Sequence, residues 1–148
     1  MSLAYYRAVW IVQSIYYSRI KTPATLPTAR YFPNAKRFID GWSDIRREAL
    51  AVASGLQDIP RFHDIMPEQA EISANDGHDW RMLIMKAYGV YMLQNLRRCP
   101  TVASLMAPSP EVISCILSFL APGKHIPMHR GPFRGILRFH LMLSMPQD

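Results

Sequence analysis

Near its C-terminus the chain reads RGILRFHLMLSM, and within it Leu137, Phe139, Leu141 and Leu143 fall at every second position. Side chains two apart share a face on an extended chain and on no helix, so the run predicts a strand over residues 135–145 with one wholly apolar face. Arg138 and His140 then project from the opposite face. A guanidinium fork beside an imidazole N–H suits a carboxylate ligand; the plain alternative is a solvated face on which Arg138 is an exposed charge.

The rest of the chain supplies a domain for that strand. Its 148 residues, 49% hydrophobic and 19% charged, suit one compact globular domain. The basic side chains are scattered as Arg46/Arg47, Arg97/Arg98, Arg130, Arg134 and Arg138, with no run of five, so the formal charge of +6 implies no nucleic-acid partner. Cys99 and Cys115 have neither the spacing of a zinc or redox motif nor the number of a disulfide scaffold, which points to a reducing, cytoplasmic setting.

The N-terminal stretch AYYRAVWIVQSIYYSRI has an apolar and aromatic centre from Ala8 to Tyr17 between Arg7 and Arg19. It is about half of the ~20 residues a spanning helix needs, and it predicts a packed or interfacial helix, with membrane-surface contact as the second option. KTPATLPTARYFPNAK, with three prolines, predicts an extended connector, and a boundary near residue 30 separates residues 1–30 from a domain over 31–148. In DGWSDIRREALAVASG, Trp42, Ile45, Ala49, Val52 and Ala53 recur at helical spacing, and Gly55 stands where a left-handed cap would close the helix. WRMLIMKAYGVYM predicts a buried strand before Gly89. A short helix starting at Pro100 and a β-branched strand over 113–120, closed by a Pro-Gly turn, follow. The sum is a mainly β domain with flanking helices.

Three of the five histidines lie in HIPMHRGPFRGILRFHL. His125 and His129 would align as metal ligands only on a helix, and Pro127 between them argues against one. A facial iron site commonly has a carboxylate close after its first histidine, but two positions after His129 stands Gly131, which cannot ligate. Spacing alone leaves His129 as a candidate ligand beside the simpler possibility of a structural or solvated histidine.

SFLAPGKHIPMHRGPFRGILRFHLMLSMP, preceded by WSDIRREAL and NLRRCPTVASLM, resembles the aspartyl/asparaginyl β-hydroxylase family of iron(II)- and 2-oxoglutarate-dependent dioxygenases, from about Tyr31 onward. The carrying motif is H-x-G-P followed by R-x-H-L. The family has glycine where the facial triad has its carboxylate, which fits Gly131. The resemblance implies a double-stranded β-helix, a cupin-like jelly roll with helices on one side. It also implies an iron ligand at His129 and 2-oxoglutarate contacts at Ser118, Arg138 and His140. His125 receives no metal role and is expected to order the APGKHIP turn; His63 and His78 are expected to be solvated or structural.

The family's barrel continues past the strand that ends here, with a second iron-binding histidine and another arginine for the cosubstrate, whereas no histidine follows His140. The expected barrel is therefore incomplete in this chain, through a truncated gene, a longer parent protein or a complementing partner. The apolar face of the last strand would then favour oligomers. The resemblance implies first hydroxylation of the β-carbon of Asp or Asn in a peptide or protein; the alternatives are hydroxylation of the fatty acyl chains of lipid A, or a non-catalytic remnant.

Overall fold

The computed structural model describes residues 3–19, 25–129 and 136–145. The first element is a helix, α1 (Leu3–Arg19), as its composition predicts. The expected extended connector is instead partly helical: α2 (Thr28–Tyr31) and α3 (Ala35–Asp40) lie within it. Pro27 precedes α2, where its missing N–H costs nothing. Phe38 of α3 is buried, and Phe32 between the two helices packs on it with ring centroids 5.4 Å apart. Apolar burial thus overrides the proline content.

Helix α4 (Trp42–Ala53) forms as its periodicity requires and buries Ile45, Ala49 and Val52. Its cap differs from expectation. Ser54 continues in right-handed geometry and Gly55 has φ −118°, so no left-handed glycine ends the helix; the Ser54 and Gly55 amides bond back to the Leu50 and Val52 carbonyls. The segment to Gly77 folds into α5 (Phe62–Ile65) between 3₁₀ turns at Leu56–Asp58 and Pro67–Ile72.

Strand β1 (Trp80–Ala87) then crosses the domain and turns at Tyr88-Gly89 into β2 (Val90–Tyr91). Tyr88 (φ 47°) and Gly89 (φ 89°) both occupy the positive-φ region that a two-residue hairpin with matching twist demands. Helices α6 (Leu93–Arg97) and α7 (Pro100–Met106) follow, the latter with its proline in the first turn. Strand β3 (Cys115–Leu120) completes an antiparallel sheet of order β2-β1-β3. Helix outweighs strand among the described residues, so the mainly β expectation is corrected to a small three-stranded sheet flanked by helices.

The pairing of Leu83 with Leu117 and of Arg81 with Phe119 defines one face of the sheet. On it Leu83 and Leu117 join Phe38, Ile45, Val52, Val102 and Met106 in the main core. A bulge between Ile84 and Lys86 leaves Met85 unpaired with β3, and both Met85 and Lys86 are buried. The other face carries Trp80, Met82 and Ile84 opposite Leu120, Ser118 and Ile116. A satellite cluster of Phe62, Ile72 and Met82 covers part of it, with the Phe62 and Trp80 rings stacked at 4.0 Å.

The strand expected over 135–145 is not formed in the described part, 136–145, which is irregular; Gly135 lies outside the described residues. Its side chains are nevertheless used. Leu141 and Leu143 pack on the main core and Phe139 meets Phe32 edge-on at 5.2 Å, whereas Leu137 is 54% exposed. The backbone is held by a helix and not by a strand: Trp42 Nε1 donates to the Met142 carbonyl at 2.7 Å and Arg46 Nε to that of Leu143 at 3.0 Å. No described strand pairs with this segment, so its apolar alternation is satisfied by core packing without a β-ladder.

Candidate functional site

Ser118 sits at the centre of β3, on the face turned away from the main core. Its Oγ accepts a hydrogen bond from Trp80 Nε1 at 2.8 Å, and Trp80 is itself fixed by the Phe62 stack. Ile116 (44% exposed) and Leu120 (51% exposed) flank it on the same face. Ser118 is thus a single polar group on an open apolar strip, with its hydroxyl oriented by a neighbouring indole.

Beyond β3, Pro122-Gly123 makes the expected turn, with Gly123 at φ 77°, and delivers Lys124 and His125 to the NDG loop. Lys124 Nζ donates to the Ser73 carbonyl (2.7 Å), Asn75 Oδ1 (2.7 Å) and Asp76 Oδ1 (2.6 Å). An ammonium has three protons, so each has an acceptor in this fully enclosed side chain. Asp76 Oδ2 accepts from the His125 amide at 2.6 Å, and Asn75 Nδ2 donates to the His125 carbonyl at 3.1 Å. The Lys124 ammonium, with the His125 and His78 amides, holds the Asp76 carboxyl well below the usual carboxylate range. His125 therefore orders the turn through its backbone, as expected, and its ring is not part of these contacts.

His129 follows four residues on, with an exposed ring. Its Nδ1 lies 2.9 Å from the Pro127 carbonyl, an acceptor only, so Nδ1 carries a proton, and in the neutral ring this selects the tautomer that leaves Nε2 unprotonated. A backbone carbonyl on the remote nitrogen is the usual way a ligating histidine is oriented. Among the described residues no three His, Cys, Asp or Glu side chains converge on a metal-sized site. His129 therefore stands without companion ligand side chains among the described residues.

Arg138 and His140 are both exposed on the irregular segment. Arg138 forms no ion pair among the described residues, and no described hydrogen bond joins either side chain to Ser118. Ser118 lies on β3, and Arg138 and His140 lie on the segment tied to α4; no described contact brings the three together. His63 proves structural, its Nδ1 2.7 Å from Ser73 Oγ, and His78 is exposed.

Several contributors escape a reading of the sequence. Asp76 and Lys124 are 48 positions apart, and an NDG turn gives no hint that its aspartate is a clamp. The Trp80 indole on Ser118 could be inferred only from the β1–β3 register. Trp42 and Arg46 were legible as helix residues but not as the anchors of the C-terminal segment.

Comparison with known proteins gives the chemistry a context. Residues 40–148 match the aspartyl/asparaginyl β-hydroxylase family. An ornithine lipid ester-linked acyl 2-hydroxylase of Rhizobium tropici is 32% identical over 131 residues, covering 88% of this chain. The chain spans about half the length of that relative, 46%. No solved structure matches the chain significantly. The match takes in β1, β3, the clamped loop, His129 and the segment with Arg138 and His140, and the chain belongs to the aspartyl/asparaginyl β-hydroxylase family.

Proposed function

We propose that the chain forms part of an iron(II)- and 2-oxoglutarate-dependent hydroxylase that acts on a fatty acyl chain of a lipid. The observation that carries this reading is the 32% identity, over 88% of the chain, to a lipid acyl 2-hydroxylase. The character of the Ser118 face supports it: Ile116 and Leu120 on either side suit an alkyl chain better than a charged side chain. Peptidyl Asp/Asn β-hydroxylation is the second reading, favoured by the family's description.

In this reading His129 Nε2 would hold the metal, and the Pro127 carbonyl would orient the ring through Nδ1. Ser118 Oγ and the His140 ring would hydrogen-bond 2-oxoglutarate, and the Arg138 fork would take one of its carboxylates. Iron(II) and 2-oxoglutarate, when bound, supply the oxidising power: dioxygen and 2-oxoglutarate become succinate and carbon dioxide while one C–H becomes C–OH. The rest of a double-stranded β-helix, beyond the three strands described, would exclude water from the reacting carbon.

The test is succinate release with iron(II), 2-oxoglutarate and ascorbate, with an ornithine lipid in one arm and an Asp/Asn peptide in the other. It is run on this chain and on the full-length Rhizobium relative. Lipid-dependent succinate with an acyl product one oxygen heavier is the expected result. Peptide-dependent succinate alone would establish the second reading. Absence of 2-oxoglutarate binding by both proteins would dismiss the two together.

A further inference from the structure

Charge along this chain is segregated. Before Asp40 the sequence has Arg7, Arg19, Lys21, Arg30, Lys36 and Arg37 and no acidic residue, whereas residues 40–148 carry eleven basic and eleven acidic side chains. The whole excess of +6 therefore precedes the part that matches the hydroxylase family, which is itself neutral. Of the six cations, Lys36 is engaged by Asp40 at 2.7 Å.

The same segment contains α1, on which Ala8, Ile11, Val12 and Ile15 recur at helical spacing. Ile11 and Ile15 are 52% and 57% exposed, and Trp10 is 68% exposed. At 1.5 Å per residue a helix of 17 residues is about 25 Å long, short of the ~30 Å hydrocarbon core. No described helix is long and apolar enough to cross a membrane.

We propose that the basic N-terminal part of the chain seats the protein on the surface of an anionic lipid bilayer, with α1 lying in the interface. Each component has a place there. The aliphatic side chains enter the acyl boundary, and Arg7 and Arg19 near the two ends of the helix meet lipid phosphates. A second copy of the chain is a poor occupant, because two such helices would bring cations together with no acid between them. A nucleic acid would answer the charge but leave Ile11, Val12 and Ile15 without a role. The inference goes beyond the hydroxylase reading and does not depend on it, since binding is measured without turnover.

The experiment is co-sedimentation of the chain with vesicles of phosphatidylcholine alone and of two parts phosphatidylcholine to one part phosphatidylglycerol. The expected result is partitioning at least tenfold stronger onto the anionic vesicles, falling as salt is raised. Arg7→Gln with Arg19→Gln should lower that partitioning about tenfold. Arg97→Gln with Arg98→Gln, exposed in the neutral part of the chain, should leave it unchanged. All these positions are exposed, and circular dichroism verifies that each variant is folded. Equal binding to both vesicles, no binding to either, or an equal loss in the Arg97/Arg98 variant would overturn the proposal. So would a dimer in solution that Ile11→Ser with Ile15→Ser converts to monomer.

Discussion

Lys124 Nζ lies 2.6 Å from Asp76 Oδ1, and its side chain is wholly withdrawn from solvent. The pair joins the end of the β3 turn to the loop before β1, and the second Asp76 oxygen grips the His125 amide. The chain that leaves this clamp reaches His129 within four residues. A contact far from the candidate ligand in sequence thus fixes the start of the segment that carries it.

The clamp predicts acid sensitivity. Lys124 and two amides lower the Asp76 pKa from its ordinary 3.8, so the folded state binds the proton less readily than the unfolded one. The stabilisation is therefore fully present above about pH 4 and is lost as pH falls through the folded value. Asp76→Asn should lower the melting temperature by a few degrees at pH 7, and the gap to the parent protein should close on acidification below pH 4. Thermal melts across that range check it; a gap independent of pH would remove the ion pair as its cause.

A second prediction concerns Glu48, buried on α4. Its Oε1 accepts from the Thr101 amide at 2.6 Å and its Oε2 from the Val102 amide at 3.3 Å, so one helix satisfies open donors in the first turn of α7. Glu48→Ala should cost about 1–3 kcal/mol, because buried amides lose their acceptor. Glu48→Gln, which keeps an acceptor oxygen, should cost less. Urea denaturation of the three proteins gives the order.

What the sequence revealed and what it concealed divide along physical lines. The helix α4 and the strands β1 and β3 were legible because their apolar periodicity is local and strong. The last segment misled because its alternation, Leu137 to Leu143, specifies a buried face but not a hydrogen-bonded partner. The described strand order ends at β3, and Trp42 and Arg46 take the backbone carbonyls of this segment instead. The proline-rich connector misled in the other direction, since Phe32 and Phe38 supply burial that makes short helices worthwhile. Candidate site residues were nameable through the H-x-G-P and R-x-H-L motifs. The tautomer of His129 and the orientation of Ser118 depend on Pro127 and Trp80, which no spacing announces.

The two thiols should be poor nucleophiles. Burial pushes both the Cys99 and the Cys115 thiols up to about 11, so little thiolate exists at neutral pH. In the folded protein, alkylation by iodoacetamide at pH 7.5 should be at least tenfold slower than in denaturant. Mass spectrometry of quenched samples follows it. Fast modification of the folded chain would mean that the main core opens readily around these residues.

Arg138 provides the most direct test of the cosubstrate assignment. Its exposed guanidinium has no ion-pair partner among the described residues, and nothing described in the fold gives it a structural task. A planar fork can hold a carboxylate through two parallel hydrogen bonds, whereas methionine of similar length offers none. A charge-assisted contact is worth about 1.5–3 kcal/mol, so Arg138→Met should weaken 2-oxoglutarate binding roughly tenfold to a hundredfold and leave the melting temperature unchanged. Arg138→Lys should recover only part of the loss, because an ammonium keeps the charge but not the bidentate geometry. Calorimetric titration of each variant with 2-oxoglutarate measures this directly. Equal affinity in all three proteins would remove Arg138 from the site and leave the Ser118 face and His129 as the remaining candidates for the chemistry.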